Sequence, residues 1–439
     1  MVRFSSTLLL GALSASAVLA DSTTTCSPDS KCPADKPCCS QYGECGTGAY
    51  CLGGCDPLSS NALDSCAPAP ICQSKTYNFD NLDGIQSNTK YLGDASKADW
   101  VSSGQPLAQD GSLILTMAPK TVGTLLANNH YMWYGKATAK LKTSRGKGVV
   151  TAFILLSDVK DEIDYEFVGA DLEHAQTNYY FQGITDYDNG ANASATDTFD
   201  DWHTYEIDWT PDQITWSIDG QVNRVKKKSE TWNATANRYQ FPQTPARVQL
   251  SLWPAGLSTN APGTIAWAGG EIDWDSEDIK EHGYYYAMFD QVTMECYDPP
   301  TGANIQGNTS YIYTSDAGTN NTVEISDKPT VLSSFEATGT NMTAGASKAS
   351  SSASSTASGD DTVPGVKGGS GAASDSGNSS GGSSSSSSGS SGTSSGSGSS
   401  TTGFSQGGSQ NNGALSPNER VLKGSLFAVL VAVVVLVAM

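Results

Sequence analysis

From Tyr77 to Pro299 the chain carries no apolar stripe at helical spacing. It is cut instead into short apolar and aromatic stretches: SLILTM, YGKATAKL, VVTAFILL, TYEIDWT, ITWSIDG and RVQLSLW, separated by Asn, Gly, Asp and Pro. Several alternate, and in HTYEIDW the residues Tyr205, Ile207 and Trp209 share one face. Such a pattern predicts an all-β sandwich, and roughly 220 residues suffice for one core of that kind.

Within this region VVTAFILL is apolar on both faces, as a central strand buried between layers would be. DEIDYEFVG follows it. Alternation puts Glu162, Asp164 and Glu166 on one face and Ile163 and Tyr165 on the other. A solvated sheet face would explain three acids without further meaning. Glycoside cleavage offers a second explanation, because it needs two carboxyls flanking one bond, about 5–5.5 Å apart when configuration is retained. Residues four apart on a straight strand lie about 13 Å apart at Cα, so the second reading requires long glutamate side chains on a curved sheet. In it Asp164 orients one glutamate and keeps the pair's proton affinities apart. The region is also rich in Trp. Most of these rings are expected in the core, with Trp253 in SLWPAGL the best candidate for a cleft-lining ring.

Both ends read as removable. Residues 1–20 have a basic start at Arg3, an apolar run around Leu8–Leu13 and small residues to Ala20, the pattern of a secretory signal. At the other end Asn412, Gly413 and Ala414 precede a polar spacer and the apolar tail LFAVLVAVVVLVAM. Residues 413–439 therefore read as a GPI-attachment signal with Asn412 as the attachment residue, and an ordinary transmembrane anchor is the alternative. Residues 301–412 are expected to form a Ser/Gly/Thr-rich glycosylated stalk, since the nearly pure Ser, Gly, Thr and Ala composition from Ala344 onward cannot support a core. Sequons at Asn192, Asn233, Asn308, Asn320, Asn341 and Asn378 agree with secretion. So do ten cysteines, nine of them between Cys26 and Cys72, which mark residues 21–72 as a small disulfide-stapled module of open connectivity. A net charge of −20 speaks against nucleic acid or anionic lipid as partner and leaves neutral polysaccharide open. The four histidines have no metal-ligand spacing, and neither a cofactor motif nor a serine-hydrolase elbow occurs.

The core E-I-D-Y-E of DEIDYEFVG resembles the catalytic motif of glycoside hydrolase family 16, and the likeness continues through DWHTYEIDWTPDQITWSIDG and QLSLWPAGLS. The resemblance implies a concave β-jelly-roll catalytic domain over residues 73–300 acting on β-glucans and related chains. With the anchor and the cysteine module the whole is similar to fungal Crh-type wall proteins, which transfer chitin onto β-glucan. Carried over, Glu162 is the nucleophile, Asp164 the assisting acid and Glu166 the proton donor and general base. The resemblance likewise implies that Glu166, Gln249, Trp253 and Thr264 bind sugar. CCSQYGECGTGAYC resembles the hevein-type chitin-binding fold, which implies that Ser40, Tyr42 and Tyr50 grip N-acetylglucosamine; Glu44 stands where a third aromatic is usual. The expected partners are chitin and β-glucan, with membrane attachment through a lipid. A plain β-glycan hydrolase would share every catalytic residue, and a wall-anchored binder would share the anchor and the sugar face. Oligomeric state has no signature in the sequence.

Overall fold

The computed structural model describes residues 24–346, so the secretory signal, most of the stalk, Asn378, Asn412 and the tail lie outside the described residues. Eight strands build the sheet that carries the acids: β1 (Ile85–Ser87), β2 (Trp100–Ser103), β3 (Thr124–Asn128), β4 (Val149–Ser157), β5 (Glu162–Val168), β6 (His174–Tyr180), β7 (Ala191–Ser194) and β8 (Ala246–Pro254). Their spatial order is β7-β6-β5-β4-β8-β3-β2-β1. A second eight-stranded sheet is centred on Gly135–Lys142, which lies between His203–Trp209 and the long strand Tyr285–Cys296. The result is a jelly-roll sandwich with few and short helices, as the sequence predicts.

Period-two alternation places the core. On β5 the residues Ile163, Tyr165 and Phe167 point inward to meet Phe153 and Leu155 of β4 and Val248, Leu250 and Leu252 of β8. The opposing sheet supplies Tyr205, Ile207, Trp209 and Trp216. Tyr205 meets the Tyr165 and Phe167 rings edge-on, with centroids 5.3 and 4.7 Å away. Two polar tips find partners across the core: the Tyr165 hydroxyl donates to the Ser217 carbonyl, and Trp216 Nε1 donates to the carbonyl of Asp164. The second bond fixes the backbone of the acid strand from below. Every residue of β4 is buried, as its doubly apolar sequence requires.

All ten cysteines are paired: Cys26–Cys39, Cys32–Cys45, Cys38–Cys51, Cys55–Cys66 and Cys72–Cys296. Four bridges staple the amino-terminal module, and the fifth ties the exit from it to the end of the long strand. The module does not hang free. Leu52, Cys38, Cys51 and Cys55 share a buried cluster with Tyr91, Ala98, Leu332 and Ala337. Backbone bonds run from Gly48 to Ala337 and from Gly339 to Ser65.

One expectation is corrected here. Residues 301–346, assigned to the stalk by composition, are folded. Ser310–Tyr313 pairs with Val323–Ser326 and with Ala69–Pro70, and the chain then wraps the module. The alternating apolar positions Tyr311, Val323 and Ile325 supply the buried face that the surrounding polar residues mask in a composition count.

Candidate active site

The register of the acid-bearing sheet sets its outer face in rows. One row runs Val101, Ala127, Gln249, Ile154, Asp164, Asn178 across β2, β3, β8, β4, β5 and β6. The neighbouring row on one side is Arg247, Leu156, Glu162, Tyr180. The row on the other side is Ser103, Leu125, Ser251, Ala152, Glu166, Gln176, Asn192. The three acids therefore stand side by side on one face, each flanked across the β4–β5 pair by an apolar residue (Leu156, Ile154 or Ala152) that forms a small cluster of its own. Sequence alternation and structure agree on this point.

Two of the three acids are withdrawn from solvent. Glu162 is 7% and Asp164 2% exposed, and Glu166 is half-buried. Burial pushes Asp164 up to about 7, although the Arg224 charge and a backbone N–H of Asn178 pull it down. Glu162 is held well above the usual carboxylate range, first by burial and then by the Asp164 charge. Glu166 is raised in the same way by burial, then by Asp164 and Glu162. Standing at positions about 6.6 Å apart along the strand, the three buried carboxyls raise one another's proton affinity. The burial of Glu162 and Asp164 is not what a fully solvated sheet face would show.

The neighbours on β6 were not singled out from sequence, although HAQTNYY alternates in register with the acid strand. Tyr180 lies opposite Glu162 and accepts a hydrogen bond from Asn178 Nδ2 at 2.7 Å. Its phenol is held neutral by burial and by the charges of all three acids. Gln176 lies opposite Glu166 and accepts from Trp267 Nε1 at 2.8 Å. Trp267 in turn stacks on Trp253, with centroids 6.2 Å apart and planes 21° apart. Trp253 is half-buried at the end of β8, so an aromatic pair borders the Glu166 side. Of the other tryptophans, Trp100, Trp133, Trp209 and Trp216 are core. His203 is structural, its Nδ1 2.7 Å from Asp219 Oδ2.

Gln249 occupies the Asp164 row, yet it is 1% exposed, and its Nε2 donates to Gln41 Oε1 of the module at 3.3 Å. Thr264 is fully buried in the short helix Pro262–Trp267 and faces no open surface. The expected sugar-gripping face of the module is also corrected. Ser40 and Tyr42 are buried and Tyr50 is half-buried, its ring against Gly46. Ser40 Oγ accepts from the Glu44 N–H within the module, and Gln41, between Ser40 and Tyr42, accepts from Arg247 of the sandwich. Arg247 and Gln41, which the docking brings together, are 206 positions apart and carried no sequence signal.

Residues 94–269 match the family model "Glycosyl hydrolases family 16". The chain is 63% identical over 443 residues to "Crh-like protein 2" of Aspergillus fumigatus, which spans all of both chains. It is 50% identical over 337 residues to "Congo red hypersensitive protein 2" of Saccharomyces cerevisiae, covering 76% of this chain and 72% of that one. Among solved structures, "Crh5 transglycosylase in complex with NAG" superposes with a TM-score of 0.49 at 31% identity, over 60% of this chain and 97% of that one.

Proposed function

Because the chain belongs to the Crh-like proteins of glycosyl hydrolases family 16, we propose that it is a cell-wall transglycosidase that cleaves chitin with retention and joins it to β-glucan or chitin acceptors. The observation that carries the mechanism is the buried acid row, in which burial and mutual repulsion raise the proton affinity of all three carboxyls. One negative charge shared by Asp164 and Glu162 moves onto Glu162 as positive charge grows at the anomeric carbon. A Glu162 carboxylate oxygen bonds to that carbon while its bond to the leaving oxygen breaks. Glu166 gives its proton to the leaving oxygen. Glu166, now a carboxylate, takes the proton of an acceptor hydroxyl, whose oxygen displaces Glu162 and restores it. The Trp253–Trp267 pair holds a sugar ring near Glu166, which raises the effective concentration of acceptor over water.

In this reading residues 1–20 direct secretion, and lipid attachment at Asn412 places the enzyme at the membrane or in the wall. The stalk beyond Ala346 gives it reach. A plain hydrolase would use the same residues with water as acceptor.

The test mixes the secreted chain with chitin oligomers and a labelled β-1,3-glucan oligosaccharide and follows products by mass spectrometry. Hybrid chains, lost in Glu162→Gln, are expected. Shortened chains without hybrids would make it a hydrolase, and bound sugar without any product would leave a wall-anchored binder.

A further inference from the structure

The outer face of the acid-bearing sheet is not free along its whole width. Acid strand β5 has two strands on one side and five on the other. On the five-strand side the module is built into the face. Gln41 Oε1 accepts from Arg247 Nη2 at 3.2 Å and from Gln249 Nε2 at 3.3 Å, which are the β8 members of the Glu162 and Asp164 rows. Val101, at the far end of the Asp164 row, packs against the cluster formed by Leu52, Tyr91 and Leu332.

The contact is closely fitted. A Cβ on Gly53 would come within 2.5 Å of Arg247 Nη1, and one on Gly54 within 2.6 Å of Gln41 Oε1. Two further ties sit at the turn between β4 and β5. Gly54 N–H donates to Asp158 Oδ1 at 2.9 Å, and Asp56 pairs with Lys160 at 3.2 Å with both side chains largely buried. The exposed and half-buried positions that remain on β5 and toward β7 are Glu166, Gln176 and Asn192 in the third row and Asn178 in the Asp164 row.

We propose that Gln41 of the disulfide module is the end wall of the glycan cleft, and that it limits how many sugar rings fit beside Glu162 on the β8 side. The inference rests on the glycan-transfer reading above. It gives the module a role other than that of a separate chitin-binding domain: it sets the length of chain that the active site accepts. Gln41 acts by position, through Arg247 and Gln249, and touches no reacting atom.

The test measures affinity against oligomer length. In a full-length Glu162→Gln background, chitin oligomers of two to eight rings are titrated by calorimetry. Gln41→Ala is compared with the intact wall, and Gly53→Val serves as a second variant that wedges the module away from Arg247. With the wall intact, affinity stops rising at a certain length. In both variants it is expected to go on rising for at least one more ring, by about fivefold, the worth of one more stacking contact. With Glu162 restored, the cleavage positions along a reducing-end-labelled oligomer should shift by the same number of rings. The same plateau and cleavage pattern in all three chains would overturn the wall. A shifted plateau in a chain whose active form makes no product would keep the wall and sink the transfer reading. No binding of any oligomer would overturn both.

Discussion

Replacing Asp164 by Asn removes the middle charge of the acid row without changing its shape, and the effect on Glu166 can be worked out from the strand. Neighbouring positions on one face lie about 6.6 Å apart. At an effective dielectric of about 20, two unit charges at that distance repel by about 2.5 kcal/mol. Sharing of the charge between Asp164 and Glu162 halves the repulsion felt at Glu166, so the lost term lies between about 1.2 and 2.5 kcal/mol. A negative neighbour makes Glu166 hold its proton, and the Asp164 charge is the largest such influence on it after burial. Without that charge Glu166 deprotonates earlier. The alkaline limb of kcat/KM, which reports loss of the general acid, should move to lower pH by about one to two units. The assay is transfer from a labelled chitin oligomer between pH 4 and 9, with near-UV circular dichroism to show that the core is intact. An alkaline limb that stays in place or moves upward, in a folded variant, would refute the assignment of Glu166 as the acid held in check by Asp164.

Three further outcomes are expected. Changing both Cys72 and Cys296 to Ser frees a loop with a sequence separation of 224, and chain entropy puts the loss at up to about 5 kcal/mol, read as a lower midpoint in urea unfolding. Asp158, pushed up to about 6 by burial, and Asp164, at about 7, bind protons in the folded chain at pH values where the unfolded chain has released them. Their stabilising share is complete below about pH 4 and is lost as pH rises through 6 and 7, so Tm should fall from pH 5 to pH 8; a rising Tm over that range would contradict the burial of these acids. Trp267→Ala removes both the stack on Trp253 and the bond to Gln176, and should raise KM for the acceptor about tenfold with little change in kcat for hydrolysis, whereas Trp267→Phe, which keeps a ring, should recover part of the loss.

The acid row was legible because its signal is local. Strand alternation fixes which side chains share a face, and the apolar run before the acids marks the strand as central. What sequence did not give was depth. Three acids on alternate positions leave a solvated face and a catalytic row equally open until the buried Leu156, Ile154 and Ala152 beside them are seen. Gln176, Asn178 and Tyr180 could have been found by applying the same alternation to the next strand. The docking of the module had no such signal. Its contacts join Gln41 to Arg247 and Gly54 to Asp158, more than a hundred positions apart, and a serine and tyrosine that look made to hold sugar are the same residues that a buried interface would use. The folded segment 301–346 was hidden for a related reason: a patch of three short strands needs few apolar residues when Ala69–Pro70 supplies its fourth strand.

Burying three carboxyls is costly, and the docked module adds to that cost by closing one side of the cleft. The same closure bears on the fate of the glycosyl-enzyme. Water competes with an acceptor hydroxyl only where it can reach the anomeric carbon beside Glu162, and Gln41, Arg247 and Gln249 fill that approach from β8. The remaining approach passes Glu166, Gln176 and the Trp253–Trp267 pair, a surface suited to a sugar ring. A cleft closed at one end and aromatic at the other favours a bound chain over free water by exclusion and by local concentration together. Opening the wall should therefore do more than admit a longer chain. In Gln41→Ala and Gly53→Val the ratio of transfer to hydrolysis should fall at equal acceptor concentration, and a ratio unchanged in both would mean that water is kept out by the aromatic side alone.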